Sequence, residues 1–173
     1  MNNLQILTAP HPILTTRAKE IDIVDKGIQV IMDRMLQTMY DDDGAGLAAN
    51  QVGILKRIIV IDLQDETSED VALFPLKMAN PKILSFSAQT SHKSEGCLSL
   101  PGQRIEVERP EQIVVEYLDY NNRRQVLDVN GWTARAIQHE IDHLDGKLLI
   151  NYLSHMKRTM ALKKLSKLKA QVV

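Results

Sequence analysis

Apolar residues recur at intervals of three and four positions in three segments of this chain, and that spacing places them on one face of an α-helix. The segments are 24–40, 131–144 and 152–170. They predict an N-terminal helix, a helix in the last third of the chain and a C-terminal helix. The apolar face of the C-terminal helix is predicted to consist of Leu153, Met156, Met160, Leu165 and Leu168.

The chain between the first two helices contains segments rich in β-branched and aliphatic residues, which predict strands. These segments are 57–63, 78–86, 105–107, 113–118 and 124–129. The later ones are separated by short turns, so we expect antiparallel pairing. Asn80-Pro81 interrupts one segment, which predicts either a strand or a turn into one, and the polar segment 64–71 predicts an exposed loop. Helix, strands and helices in this order predict an α+β fold.

Length and composition fit a single domain, residues 1–173, with its own hydrophobic core. Apolar residues make up 44% of the chain, and the formal net charge of −1 does not indicate a nucleic-acid-binding protein. The chain lacks a run of about 18 apolar residues that could span a membrane, and its first residues lack the features of a signal peptide. We therefore expect a cytoplasmic protein with no membrane association.

The strongest local motif is His139-Glu140-Ile141-Asp142-His143. In a helix, the first and last of these residues lie on one face, so both imidazoles can bind the same metal ion. Glu140 lies about 100° around the helix from His139 and can reach a water on that ion. The alternative is a surface helix with two solvated histidines, but the apolar residues around the motif favour a helix inside the fold.

Two histidines do not complete a catalytic zinc site, which usually has three protein ligands and one open position. Asp145 and His155 follow the motif, but neither stands at a spacing typical of zinc peptidases. Cys97 is the other candidate, and as the only cysteine it forms no internal disulfide. The acidic run at 41–43 is interpreted as the end of a helix and not as a metal site.

Three separated motifs make the sequence resemble the peptide deformylase family, in its bacterial type. They are GAGLAANQ at 44–51, EGCLS at 95–99 and QHEIDH at 138–143. The likeness extends from TAPHPIL at 8–14 through NP at 80–81 to DHLDGKL at 142–148, and so covers nearly the whole chain. For the fold, the resemblance predicts antiparallel sheets packed around a central metal-binding helix.

The resemblance implies a hydrolase that removes the N-formyl group from the formyl-methionine of newly synthesised polypeptides and releases formate. It implies one divalent metal ion per chain, held by Cys97, His139 and His143. Fe(II) is the usual native ion of the family, and Zn(II) or Ni(II) are substitutes. N-formylated nascent peptides are therefore the expected partners.

The catalytic roles follow from the same motifs. We assign Glu140 as the general base toward the attacking water and then as the general acid toward the departing amine. The resemblance places the side-chain amide of Gln51 and the backbone N–H of Leu98 near the oxyanion of the tetrahedral intermediate. The alternative for Gln51 is a polar loop residue that bonds its own backbone.

Substrate binding is expected beside the glycines of the first two motifs. Gly44, Gly46 and Gly96 lack Cβ atoms, which allows the backbone to approach a ligand closely. The resemblance implies that the peptide binds there as an extended strand. Arg104 and Arg109 match arginines of the family pattern, and they are interpreted as bracing Glu95, as bordering the cleft or as forming ordinary surface salt bridges.

The sequence departs from the family pattern around the expected methionine pocket. Ala45 stands where the family usually has Ile or Val. Trp132 and Arg135 stand beside Ala136 in a stretch that normally carries small and aliphatic residues. Trp132 would fill the volume that Ala45 gives up, so we predict a reshaped pocket for the first side chain of the substrate.

The segment from Asn151 to Val173 has six basic residues and no acidic one. A helix would carry them on one face, interpreted either as a solvated surface or as a contact with ribosomal RNA, as in bacterial members of the family. Three rival functions are a generic zinc endopeptidase, a domain with a structural metal, and a family member that has lost activity. The first predicts no dependence on Cys97, and the second needs a fourth protein ligand.

Overall fold

The structure is a computed structural model that describes residues 4–63 and 73–171. It is α+β, as predicted, and the predicted loop at 64–71 lies outside the described residues. The three α-helices are α1 (Lys26–Asp41), α2 (Gly131–Leu144) and α3 (His155–Gln171). The bounds of α2 agree with the predicted segment, and those of α1 and α3 differ from prediction by one to three residues.

The described residues contain seven strands in two antiparallel sheets. The strands are β1 (Gly46–Ala48), β2 (Ile58–Ile61), β3 (Leu76–Phe86), β4 (Thr90–Gly96), β5 (Arg104–Pro110), β6 (Gln112–Leu118) and β7 (Arg124–Asn130). One sheet has the order β1-β2-β3-β6-β7, and the other consists of β4 and β5. The sequence analysis missed β1 and β4, because neither has an apolar run. Although only one residue separates β5 from β6, the two strands belong to different sheets.

Asn80-Pro81 lies inside β3 and does not end it. Asn80 adopts φ = 50°, a left-handed conformation that asparagine tolerates better than most residues. The pairing of β3 with β6 shifts register between Ala79 and Lys82. The side chain of Asn80 bonds both backbone groups of Ile21, at 3.0 and 2.7 Å. The strand therefore passes through a bulge that is fixed to the N-terminal segment.

The five-stranded sheet lies between α1 and α2. Alternate residues of β2 face opposite sides, as the strand repeat requires: Ile59 belongs to the cluster that contains α2, and Ile58 to the cluster that contains α1. From α2, Ile137 and Leu144 are fully buried against the sheet. Apolar contacts thus fix α2 on one side and leave its other side for the metal-binding motif.

The C-terminal helix packs differently from the prediction. Leu165 and Ala161 are buried against Ile105 and Val107 of β5 and the segment Leu148–Ile150. The predicted face was wrong at Met156 and Met160, whose side chains are 72% and 65% exposed. At about 100° per residue, Met156 lies about 180° and Met160 about 140° from Leu165, so the three cannot share a face.

None of the helices in the described part of the chain is long and apolar enough to cross a membrane.

Candidate active site

Helix α2 places two imidazoles one turn apart, and the end of β4 brings a thiol to them. The Nε2 atoms of His139 and His143 are 3.2 Å apart, and Sγ of Cys97 lies 3.2 Å from Nε2 of His143. The three potential ligand atoms all lie within 4.8 Å of one another. In the part of the chain that the structure describes, these side chains form the group that could hold a metal ion.

The other two candidate ligands lie outside this group. The carboxylate of Asp145 pairs with Arg57 at 2.8 Å, and His155 is exposed at the start of α3. Three protein ligands leave a fourth position open, which a catalytic metal requires and a structural site does not offer. Burial lowers the pKa of His143 well below its usual value, so that its imidazole stays neutral and keeps a lone pair for a metal ion. One thiol and two imidazoles fit a divalent transition metal.

A buried carboxylate orients the first histidine. Oε2 of Glu95 lies 2.9 Å from Nδ1 of His139, which leaves Nε2 directed at Cys97 and His143. Arg109 bonds both carboxylate oxygens of Glu95, at 2.7 and 3.0 Å. Burial alone would raise the pKa of Glu95, but the hydrogen bonds from His139 and Arg109 outweigh it and hold the pKa at about 2. Glu95 is therefore ionised at every pH at which the fold is expected to work.

The carboxyl group of Glu140 is enclosed by the first motif. Its side chain is buried, and a Cβ atom on Gly46 would overlap its Oε1 atom, so only glycine leaves room for the carboxyl group there. Among the described residues, Oε2 of Glu140 has no hydrogen-bond partner. Burial raises the pKa of Glu140 to about 7. Such a carboxyl group can both accept and release a proton near neutral pH.

The side-chain amide of Gln51 lies beside the candidate ligand Cys97. Gln51 lies in a short 3₁₀ helix, Ala49–Val52, and is 1% exposed. The backbone N–H of Ala48 donates to its Oε1 atom at 2.8 Å, and its Nε2 atom donates to Oγ of Ser99 at 3.1 Å. Nε2 also lies 3.7 Å from Sγ of Cys97. Gln51 does bond nearby backbone through its oxygen, as in the alternative interpretation, and its nitrogen is at the same time a fixed donor beside the candidate ligand atoms.

These groups line one cavity of about 670 Å³, within the size range of small-molecule and peptide sites. Cys97, His139, Glu140 and Gln51 lie in its wall. So do all the residues predicted to bind substrate, together with Leu98: Gly44, Ala45, Gly46, Gly96, Trp132 and Ala136. Residues far apart in the sequence therefore meet in one cleft, together with two of the three candidate metal ligands.

Comparison with known proteins gives a consistent result. A family model described as "Polypeptide deformylase" matches residues 3–159. A peptide deformylase of Rickettsia akari is 49% identical, with 100% of each chain covered. A peptide deformylase of Orientia tsutsugamushi strain Ikeda is 50% identical, with 98% of this chain and 97% of the relative covered.

The chain belongs to the peptide deformylase family. Peptide deformylases are metal-dependent hydrolases that remove the N-formyl group from the N-terminal formyl-methionine of newly synthesised polypeptides. The crystal structure of the Ehrlichia chaffeensis deformylase superposes with a TM-score of 0.92 at 40% identity, covering 98% of both chains. A second structure of the deformylase of that organism, in complex with actinonin, gives 0.88 at 42% identity and covers 96% of this chain and 98% of the other.

Two arginines that match the peptide deformylase pattern have different surroundings. Arg109 braces Glu95, which was one of the interpretations, and also bonds Asp142 at 2.8 Å. Arg104 borders the cavity and donates to the backbone oxygen of Ser94 at 2.9 Å. The interpretation of Arg109 as a surface salt bridge was wrong, since its side chain is 4% exposed.

Arg135, the charged residue of the stretch around the expected methionine pocket, lines the cavity, and its guanidinium group is held by hydrogen bonds. Its Nη1 atom bonds Oε1 of Glu95 at 2.5 Å and the backbone oxygen of Val107 at 3.0 Å, and its Nη2 atom bonds Ser91. Trp132 is 52% exposed at the cavity rim, with Nζ of Lys93 4.8 Å from its ring centroid. The expected change in the pocket therefore concerns Trp132 and Ala45, whereas Arg135 belongs to the support of Glu95.

The sequence analysis missed several residues that build the site. Ser99 was quoted only as the end of a motif, and Ser91 was not considered. The loop 100–103 also lines the cavity. Single serines and short loops have no periodic pattern in the sequence, so their place in the site becomes known only from the fold.

Proposed function

We propose that this peptide deformylase holds one divalent metal ion with Cys97, His139 and His143, and that Glu140 carries the protons of formamide hydrolysis. The observation that supports this most is that Cys97, His139 and His143 form one cluster, and that two of them line the same cleft as Glu140. Fe(II) is the proposed native ion, with Zn(II) or Ni(II) as substitutes, because a thiolate ligand suits soft and borderline ions. When bound, such an ion supplies a Lewis acid that lowers the pKa of water from 15.7 toward about 7.

Glu140 accepts the proton of the attacking water and then gives it to the amine that leaves the formyl carbon. Its burial supports both steps, since a carboxyl group with a pKa of about 7 holds and releases a proton with similar ease. The side chain of Gly46 is a hydrogen atom, which leaves the carboxyl group close to the backbone of the first motif. The products are formate and a free α-amine.

Gln51 and the backbone N–H of Leu98 stabilise the oxyanion that forms when water adds to the formyl carbon. Gln51 has an N–H group beside the ligand cluster, and Leu98 directly follows Cys97 in the chain. Each such donor typically lowers the barrier by a few kcal/mol.

The peptide backbone binds as an extended strand between two sheet edges. β1 pairs only with β2, and β4 pairs only with β5, so each of these two strands has an edge with no strand beside it among the described residues. Gly44–Gly46 and Gly96 bring those edges to the cavity. Main-chain pairing suits an enzyme that must accept many nascent chains, because it does not depend on sequence.

Trp132 and Ala45 set the preference for the first side chain of the substrate. Both line the cavity, together with Ala136. Trp132→Leu should change the ratios of kcat/KM among formyl-Met, formyl-Leu and formyl-Ala peptides. Equal ratios in the variant and the unaltered enzyme would remove Trp132 from this role.

Helix α3 is proposed to contact ribosomal RNA, which would place the enzyme in the cytoplasm near emerging chains. Its exposed basic side chains support this: Lys157, Arg158, Lys163, Lys164 and Lys167. Deletion of residues 163–173 should weaken co-sedimentation with ribosomes, and the loss should depend on salt. Unchanged co-sedimentation of the truncated chain would refute the contact.

The direct test of the activity is formate release from formyl-Met-Ala-Ser by Fe(II)- and Zn(II)-loaded protein without oxygen. Cys97→Ser should lose metal and activity, and Glu140→Ala should keep the metal and lose activity. His155→Ala is the matched control, because His155 lies outside the cluster and should matter to neither. Cleavage of internal peptide bonds without dependence on Cys97 would instead identify a generic zinc endopeptidase.

A further inference from the structure

Ser99 is a fully buried hydroxyl group that the mechanism above does not use. Its Oγ atom accepts a hydrogen bond from Nε2 of Gln51 at 3.1 Å. We propose that Ser99 is a positioning residue, which fixes the Gln51 amide so that its second N–H faces the reacting carbonyl oxygen. The inference rests on the proposed oxyanion role of Gln51 and adds the group that sets the direction of its N–H.

The orientation of the amide follows from its other end. The backbone N–H of Ala48 lies 2.8 Å from Oε1 of Gln51, and a backbone N–H can only donate. The oxygen must therefore face Ala48, and the NH₂ group must face Ser99 and Cys97. The alternative orientation would place two donors against each other in a buried site, which is costly.

The NH₂ group of Gln51 has two hydrogens in the amide plane, directed about 120° apart. Ser99 takes one of them. The other is directed at Sγ of Cys97, 3.7 Å from Nε2, and sulfur is a weaker acceptor than the Ser99 hydroxyl, so a substrate oxygen can replace it. With one hydrogen anchored on Ser99, the direction of the other is set, and it remains available to the substrate.

The anchor itself is rigid. The backbone oxygen of Ser99 accepts a hydrogen bond from the N–H of Ala9 at 3.0 Å, which ties this segment to the N-terminal part of the chain. Gln51 is 1% exposed and Ser99 is fully buried, so water cannot replace a lost partner easily. Without the Ser99 hydroxyl, the free N–H of Gln51 has the sulfur of Cys97 as its nearest acceptor. The amide would then turn toward the sulfur and away from the substrate.

The test combines Ser99→Ala, Gln51→Ala and the double variant on Zn(II)-loaded enzyme with formyl-Met-Ala-Ser. Removal of one oxyanion donor typically lowers kcat about 100-fold or more, and misdirection of the donor should lower it by about 10-fold. We expect Ser99→Ala to lower kcat with KM unchanged within about 2-fold. The double variant should be no slower than Gln51→Ala, because residues that act through one group are not additive. Ser87→Ala, a half-buried serine between β3 and β4 that does not line the cavity, is the control.

A spectroscopic measurement separates positioning from a loss of structure. In Co(II)-loaded Ser99→Ala, the sulfur-to-cobalt charge-transfer band should move to shorter wavelength, because the N–H of Gln51, released from Ser99, approaches the thiolate more closely than 3.7 Å. The band should return in the double variant, which lacks that N–H. Unchanged kcat in Ser99→Ala, additive losses in the double variant, or loss of bound metal in Ser99→Ala would each overturn the proposal. Full activity of Gln51→Ala would remove the oxyanion role of Gln51 and, with it, the role of Ser99. If Gln51→Ala loses activity but Ser99→Ala does not, only the positioning role of Ser99 is removed.

Discussion

Nδ1 of His139 lies 2.9 Å from Oε2 of Glu95, and the pair is buried under the cleft. In the tautomer with the proton on Nδ1, the carboxylate accepts that hydrogen bond and Nε2 of the same ring presents its lone pair to the ligand cluster. Partners of this kind fix the tautomer and the orientation of a metal-binding histidine and raise its basicity.

Glu95→Gln should therefore weaken metal binding, and it should also destabilise the fold, because the buried Arg135 loses the carboxylate that it pairs with. The amide lacks the negative charge that makes Glu95 a strong acceptor, and loss of such a partner typically costs about 10- to 100-fold in metal affinity. Competition with a chromophoric chelator measures this affinity. Glu116→Gln, which removes a carboxylate paired with the exposed Arg124, is the control and should leave the affinity unchanged. Equal affinities of Glu95→Gln and the unaltered chain would show that Glu95 does not support the site.

Arg135→Met should destabilise the fold strongly. Removal of one partner from a buried ion pair costs about 3–5 kcal/mol, and the lower end applies here because Arg109 still holds Glu95. Arg124→Met is the matched control, since Arg124 is largely exposed in its pair with Glu116 and such pairs contribute about 0–1 kcal/mol. Urea denaturation of both variants compares their free energies of unfolding. Similar losses in the free energy of unfolding would mean that the buried ion pair of Arg135 stabilises the fold no more than the exposed pair of Arg124.

Gly46→Ala should lower kcat, because the new Cβ atom would overlap Oε1 of Glu140 and displace the carboxyl group. A small displacement of a catalytic group can cost about 100-fold. Gly27→Ala in α1 is the control, where the Cβ atom would meet only a side-chain oxygen of Asp25 at 3.2 Å. Steady-state formate release measures kcat for both. An unimpaired Gly46→Ala enzyme would argue against proton transfer by Glu140 from its observed position.

The sequence predicted the helices and the pair of candidate ligands on α2 because both have a regular signal. His139 and His143 are one helical turn apart, and helix α2 has an apolar face that packs on the sheet. Cys97 could be assigned only through the resemblance, since no spacing rule connects it to α2. The support of the site by Arg135 and Ser99 depends on contacts between elements distant in the sequence. Met156 and Met160 were misplaced because apolar residues at unrelated helical angles were grouped into one face.

The stability of the fold should fall as pH rises from 10 to 12, partly through Tyr40. Burial and the hydrogen bond to Asp62, at 2.6 Å, raise the pKa of Tyr40 from 10.0 to about 12. The folded state therefore favours the neutral phenol. Its contribution is present below pH 10 and is lost between pH 10 and 12, as the unfolded chain releases the proton first.

Tyr40→Phe provides the measurement. The difference in tyrosinate absorbance between the unaltered chain and Tyr40→Phe isolates this group, and its midpoint should lie near pH 12. The variant should also lose less stability across that interval. A midpoint near pH 10 would mean that Asp62 does not accept the phenol proton in solution.

The central claim is that one thiolate and two imidazoles share a single metal ion. X-ray absorption of Zn(II)-loaded protein tests it most directly, because the method counts the scattering atoms around the ion. The account predicts one sulfur at about 2.3 Å and two imidazole nitrogens at about 2.0–2.1 Å, with one further light ligand. Loss of the sulfur signal in Cys97→Ser should follow. A first shell without sulfur, in the unaltered chain, would contradict the account.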